Sequence, residues 1–348
     1  MIAPTTMSQL KQAIDSNDFE RVKALMIAEP SLHTAPLGYA KNGPLTWVAE
    51  CRIPWGPPEP VRLAMAQWMI ENGSDVHQGG DGPLMRAALY GERIPMMELL
   101  VRNGADVNAE WNGDFPILFA PCETVDPVSM RWLLEQGVDP NCPKPGRQVT
   151  ALDYLIGSYV RSAELGTCID LLVNAGCTSR YDLPGVLSTI QGNVARLEVQ
   201  LRANPDLINQ RFPELDCGST GARRLLLRGA TLLHVAAEYG NIEAAKLLIS
   251  RGAAVNAPAS LDEAGIGGQT PIFHAVTQFD DQGLAMTRLL LDRGADLSIR
   301  VKVPGHYEQL DEVVECTPLG YALRFPGSDF PGSNETTIEL LSARGGME

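Results

Sequence analysis

One ten-residue phrase recurs along this chain of 348 residues, and it constrains the fold more than any other feature. It reads Leu99-Leu100-Val101-Arg102-Asn103-Gly104-Ala105-Asp106-Val107-Asn108 and returns as Trp132-Leu133-Leu134-Glu135-Gln136-Gly137-Val138-Asp139-Pro140-Asn141. Shorter copies end at Gly73-Ser74-Asp75-Val76, Gly176-Cys177, Gly252-Ala253-Ala254-Val255-Asn256 and Gly294-Ala295-Asp296-Leu297. Gly104 and Gly137 stand 33 positions apart. Self-similarity at such a period means stacked supersecondary units, none of which can bury its apolar face alone. The phrase has a physical reading. A Leu-Leu pair ends a helix against its neighbours, and Gly takes the left-handed conformation that stops it. Asp and Asn then form a turn.

A second phrase opens each unit. Thr231-Leu232-Leu233-His234-Val235-Ala236-Ala237 is one copy, and Thr270-Pro271-Ile272, Thr317-Pro318-Leu319, Gly82-Pro83-Leu84 and Phe115-Pro116-Ile117 are others. Thr caps a helix N-terminus, and Pro suits the first helical position, where no N–H is needed. The small Ala residues let the next helix approach closely.

With both phrases in place, the chain resembles the ankyrin repeat family. The resemblance is strongest over 231–256, where Gly240-Asn241 marks the turn between two helices, and it extends over roughly 43–345. It implies an all-α solenoid of about nine helix pairs. These start near Thr6, Gly43, Gly82, Phe115, Thr150, Leu183, Thr231, Thr270 and Thr317. The organisation expected is a single array, with 1–42 as a degenerate N-terminal cap unit and repeats over 43–345. In the cap, Leu10 to Leu25 reads as two helices closed by Pro30. The resemblance also implies a binding scaffold and assigns His234 to the family's structural histidine position, where it bonds backbone between units. Fold does not by itself settle function.

Several segments depart from the pattern. Ile53-Pro54-Trp55-Gly56-Pro57-Pro58-Glu59-Pro60 interrupts the turn inside the second unit, and 325–334 does the same in the last. Insertions fall at 211–229, 257–269 and 299–316. In the third, residues 299–303 alternate, Pro304-Gly305 signals a turn, and Val313-Val314 returns, which predicts a β-hairpin finger. Gly265-Ile266-Gly267-Gly268 follows no strand of a βαβ unit, so it reads as a flexible loop and not a phosphate cradle.

Composition narrows the function classes. The formal charge is −14, with 42 acidic against 28 basic residues. Such a chain repels phosphate backbones and anionic lipid, so the expected partner is a protein and neither nucleic acid nor membrane. No apolar run approaches ~18 residues, and the start lacks the regions of a signal peptide. The seven Cys are irregularly spaced with no CxxC pair, which predicts a reducing, cytoplasmic setting and no metal site. No cofactor is expected either, since HExxH, GxxxxGK[ST] and GxSxG are all absent.

Aligning the first helices gives a column expected to face the concave side: Trp47, Arg86, Phe119, Tyr154, Leu187, Val235, His274 and Tyr321. Four of these eight are aromatic, against 6% for the whole chain. Trp47 and Phe119 read as packing residues. Arg86, Tyr154, His274 and Tyr321, with Tyr90, Glu238, Tyr239 and Arg324 at the next exposed positions, are the candidate partner-binding residues of the groove. Aromatic and Arg side chains are the types that dominate interfaces. Arg300, His306 and Tyr307 are the candidates on the finger. The alternative is a small-molecule or enzymatic pocket closed by the insertions, with His274 as general base beside Glu238 or Tyr321. Arg223-Arg224 and Arg228 form a small basic patch that suits either an acidic partner or acidic residues of the stack.

Overall fold

The computed structural model describes residues 4–347 apart from 38, 39, 41, 54, 142–148, 221, 222, 307, 308, 310 and 326–333. The chain divides into two compact units, Met1–Leu155 with Thr167–Thr178, and Ile156–Gly166 with Ser179–Glu348. Both are built of successive helix pairs, as the repeat predicts.

The first unit contains α1 (Pro4–Asp15), α2 (Phe19–Ala28), α3 (Pro44–Glu50), α4 (Pro60–Glu71), α5 (Gln78–Ala87), α6 (Ile94–Arg102), α7 (Phe119–Thr124) and α8 (Pro127–Glu135). Helices α9 (Ala151–Gly157) and α10 (Leu165–Asn174) carry residues of both units. The second unit continues with α11 (Val186–Gln191), α12 (Val194–Ala203), α13 (Leu232–Glu238), α14 (Ile242–Ser250), α15 (Pro271–Ala275), α16 (Leu284–Asp292), α17 (Pro318–Arg324) and α18 (Glu335–Ala343). Within it, first helices pack on first helices (α11, α13, α15, α17) and second on second (α12, α14, α16, α18). The helices are short, so their stability comes from this packing more than from propensity. The apolar positions of the phrase deliver it: Leu100, Leu133, Leu248 and Leu290 are fully buried.

Where the phrase occurs, its glycine ends the second helix as expected. Gly104 sits at φ +101°. Its N–H donates to Val101 O (3.0 Å) and the next N–H, of Ala105, donates to Leu100 O (3.0 Å). That pair of bonds is the Schellman closure, which satisfies the last helical carbonyls. It repeats at Gly137-Val138, Gly176-Cys177, Gly252-Ala253 and Gly294-Ala295.

The turn asparagines do a second job. Asn256 Oδ1 accepts from Asp296 N–H (2.9 Å), and its Nδ2 donates to Gly294 O (2.9 Å) in the next repeat. Asn141 binds Thr178 N–H (2.8 Å) and Gly176 O (3.0 Å) in the same way, and Asn209 binds Ala254 N–H (2.9 Å) and Gly252 O (3.3 Å). One side chain thus stitches each turn to its successor.

At the helix starts, Thr317 Oγ1 accepts from Gly320 N–H (3.1 Å) and Thr150 Oγ1 from Asp153 N–H (3.2 Å). Thr270 makes no such cap; Pro271 alone marks that helix start. His234 Nδ1 accepts from the Thr231 N–H (3.1 Å), and its Nε2–H donates to Gln269 O (2.9 Å) on the following insertion. That is the between-repeat backbone bond the resemblance implies. It also fixes the tautomer of a ring that burial, and then the neighbouring His274, push down to about 3.

The finger at 299–316 is a hairpin. Strand β3 (Val301–Pro304) pairs antiparallel with β4 (Val313–Cys316), with Val301 opposite Cys316 and Val303 opposite Val314. In the first unit a shorter hairpin, β1 (Glu110–Trp111) with β2 (Phe115–Pro116), was not foreseen, since two-residue strands leave no alternation to read. Among the described residues, no helix is long and apolar enough to cross a membrane. No group of three His, Cys, Asp or Glu there could hold a metal ion.

A candidate binding site in the second unit

Glu238 ends α13, placed there by the repeat register, and is 1% exposed. A carboxylate this deep needs partners, because desolvation otherwise disfavours its charge. Three side chains supply them. Arg223 Nη2 donates to Glu238 Oε2 at 2.7 Å, His274 Nδ1 lies 2.8 Å from the same oxygen, and Arg161 Nη2 donates to Oε1 at 3.0 Å.

Arg223 comes from the insertion at 211–229 and is itself completely buried. Its Nε donates to Thr277 Oγ1 (2.7 Å), Nη1 to Gly218 O (2.6 Å) and Leu225 O (3.2 Å), and Nη2 also to His274 O (3.3 Å). With the bond to Glu238, all five donors of the guanidinium are used. The Arg223 backbone is bridged to His306 of the finger. The insertion therefore lies along the first-helix face, with its arginine as the peg.

Arg161 approaches from the chain before α10. Its guanidinium lies 4.6 Å over the Tyr239 ring and donates to Ser219 O (3.2 Å). The Tyr239 hydroxyl donates to Ile156 O (2.8 Å).

These contacts set the ionisation. Burial by itself would raise the Glu238 carboxyl, but the Arg223 charge, the His274 hydrogen bond and the Arg161 charge outweigh it and bring it down to about 2. Burial lowers the His274 imidazole, and the two arginines lower it further against the pull of Glu238. His274 is then neutral, with its Nδ1–H directed at the carboxylate. A general base needs access to its substrate and a pKa near the working pH. Glu238 is held too low, and His274 is fully buried. The cluster is a clamp that holds the insertion on the stack.

Beside the clamp lies a cleft of about 590 Å³. Its walls come from the turns of successive helix pairs: Gln191, Tyr239 and Asn241, Gln278 and Gln282, together with Arg161 and Ser162. Asn241 Nδ2 donates to Thr189 O (2.7 Å) and Ile190 O (2.8 Å), and Gln278 Nε2 to His274 O (2.8 Å) and Glu238 O (3.2 Å). These carboxamides are therefore fixed in place. The cleft presents neutral polar groups and one stacked Arg–Tyr pair.

The candidates named from the sequence lie in both units. Glu238, Tyr239 and His274 come together as described. Tyr321 is fully buried, 6.0 Å from Phe273 between ring centroids, and its hydroxyl donates to Pro304 O (3.0 Å). Arg324 pairs with Glu312, whose Oε2 also accepts from His306 N–H (2.8 Å). The His306 ring stacks on Phe325 at 6.3 Å. Arg300 is exposed and donates to Glu315 O across the hairpin (3.5 Å). Tyr307 lies outside the described residues.

In the first unit, Arg86 pairs with Glu50, a buried carboxylate at the register position of Glu238. Tyr90 meets Trp55 edge-on at 4.8 Å, with the Arg93 guanidinium 4.9 Å from its ring. Tyr154 stacks on Phe119 at 4.4 Å. Trp47 and Phe119 are buried, at 7% and 1% exposure, as packing residues should be.

One expectation is corrected. Glu238, His274 and Tyr321 do not project into an open groove, because the insertion at 211–229 and the finger cover them. Sequence reasoning named Arg223 without placing it, and missed Arg161, Gln191 and Gln282. Arg161 carries no local signal, standing far from Glu238 in the sequence.

The matching family models agree with this architecture. A family model described as ankyrin repeats in three copies matches residues 197–301, and one for a single ankyrin repeat matches 79–112. Among solved structures, the human ASB11 ankyrin repeat domain is similar over 76% of this chain and 99% of its own, with 23% identity and a TM-score of 0.36. No curated protein matches. With the helix pairs, the Schellman turns and the His234 bond already in place, the two model matches show that this chain carries ankyrin repeats over 79–112 and 197–301.

Proposed function

We propose that the chain is a binding scaffold for a partner protein, engaged through the cleft over α11, α13 and α15 and through the finger loops. The observation that supports this most directly is the cleft itself. Arg161, the cation of its lining, is paired with the buried Glu238 and stands stacked on Tyr239 beside fixed carboxamides. Tyr and Arg dominate the energetics of interfaces. A preset arrangement also loses little entropy on binding. Ankyrin repeats serve in general as protein-interaction scaffolds.

The test is affinity capture read by mass spectrometry, comparing the wild-type chain with Ser162→Trp/Gln282→Trp. Both positions line the cleft and are exposed, so the variant should melt with the wild type. A protein held by the wild type and released by the variant supports the proposal. Equal retention by both sinks the cleft as the site.

A second reading, a polar small molecule, is favoured by the cleft volume, which falls in the range of ligand sites. Native mass spectrometry of the purified chain would show it as an added mass that the double variant lacks.

A further inference from the structure

Three insertions that the repeat pattern does not require are bonded to one another. Ser260 N–H donates to Gly229 O (3.0 Å), Gly267 N–H to Lys302 O (2.7 Å), and Gln269 Nε2 to Leu226 O (3.2 Å). The loops at 211–229 and 257–269 and strand β3 thus meet at one junction. Glycine permits the approach. A Cβ on Gly267 would stand 2.3 Å from the Ser260 carbonyl oxygen, and one on Gly229 would stand 2.3 Å from the Ser260 side chain.

The junction encloses a basin of about 380 Å³, lined among others by Leu226, Arg228, Leu261, Ile266, Gln269 and Pro304. Three properties of its lining coincide. Leu261 is 65% exposed, and Leu226, Ile266 and Pro304 are half-buried beside it, so the walls are apolar where loops are ordinarily polar. Arg228 is exposed and makes no ion pair among the described residues, although the chain has 42 acidic side chains. Gln269 is 3% exposed, and its Oε1 has no hydrogen-bond partner among the described residues. Arg224 and Asp262 also line the basin, so two cations against one carboxylate leave it net positive. Asp262 makes no ion pair with Arg228; its Oδ1 accepts from the N–H groups of Ala264 (2.9 Å) and Ile266 (2.8 Å) in its own turn.

An apolar wall, an unpaired cation and a buried acceptor are complementary to one kind of occupant. We propose that the basin seats an extended segment of the partner protein. An aliphatic side chain packs on Leu226, Leu261 and Ile266, an adjacent carboxylate meets Arg228, and a backbone N–H donates to Gln269 Oε1. The inference rests on the partner-protein reading and names the chemistry of the segment that the fingers hold. Since the whole chain carries −14, attraction of the carboxylate is local to Arg228 and not a long-range field.

The test is selection from a random peptide library displayed on phage, against the full chain and against Arg228→Glu and Leu261→Ser. Both positions are exposed, so both variants should keep the wild-type melting curve. The expected consensus is an aliphatic residue next to Asp or Glu. A synthetic peptide of that sequence, followed by fluorescence anisotropy, should bind either variant about tenfold more weakly or worse. A consensus without an acidic residue, or peptides that bind the variants as well as the wild type, overturn the basin assignment. If such peptides are instead lost on Ser162→Trp/Gln282→Trp, the partner-protein reading stands while the basin falls. A library that yields no specific peptide also overturns the basin, and the capture experiment on the cleft then decides the broader reading separately.

Discussion

At Gly104 the backbone has φ +101°, and no atom lies within 4 Å of where a Cβ would stand. Any cost of a side chain there is therefore backbone strain and not crowding. Gly104→Ala and Gly104→Val should each lose about 1–3 kcal/mol in denaturant titrations, Val the more. An unchanged midpoint for both would mean that the turn does not need the left-handed conformation. The clamp at Glu238 gives a second expectation. Arg223→Ala leaves a buried carboxylate with its main partner gone, at a cost of about 3–5 kcal/mol. Arg223→Met with Glu238→Gln should recover a good part of the loss, because no bare charge remains. If the double variant is no better than the single, the ion pair is not what holds the insertion. At this scale the sequence was half legible. Glu238 followed from the Ala236-Ala237 register, but its partners Arg161 and Arg223 come from segments outside the repeat, where no periodicity reports a contact.

Between elements, the asparagine stitches carry a load that helix packing alone does not. Asn256 makes two bonds to the next repeat, each worth about 1 kcal/mol net. Asn256→Ala should speed hydrogen exchange at the Asp296 and Ser298 amides while leaving the amides of α13 as protected as before. Equal exchange in the variant would show that the stitch adds nothing to the packing of α14 on α16. The elements themselves were the most legible part of the chain. Leu-Leu, Gly and Asp mark helix ends through periodic burial and positive φ, both local properties. The hairpin at 299–316 could be read because its residues alternate before Pro304-Gly305. The bonding of the loop at 257–269 to that hairpin could not, since Gly267 meets Lys302 only after the stack has brought them together.

For the whole molecule, the buried histidines and Glu238 set how stability responds to acid. A histidine in an unfolded chain takes up a proton near pH 6.5, whereas burial and the neighbouring His274 hold His234 down to about 3. Within that window the unfolded state binds the additional proton, so stability falls as pH falls. From about pH 7 to about pH 4 the loss through His234 is about 3 kcal/mol, and His274 shifts in the same direction. Glu238 adds a loss of the same sign at lower pH, as pH falls from 4.5 towards about 2. Melting temperatures taken across this range should decline steadily, and His234→Gln should flatten the slope even if it lowers every value. A flat wild-type profile would contradict the buried neutral state. Repeat proteins are often treated as strings of interchangeable parts. The peg of Arg223 in the face of α13 and α15 makes this stretch an exception. Shortening the loop at 211–229 to a plain turn would strand a carboxylate, so the loop and Glu238 form one heritable unit that cannot be lost piecemeal. Relatives lacking the loop should carry a neutral residue at this position, and an engineer trimming the array would need to make both changes at once.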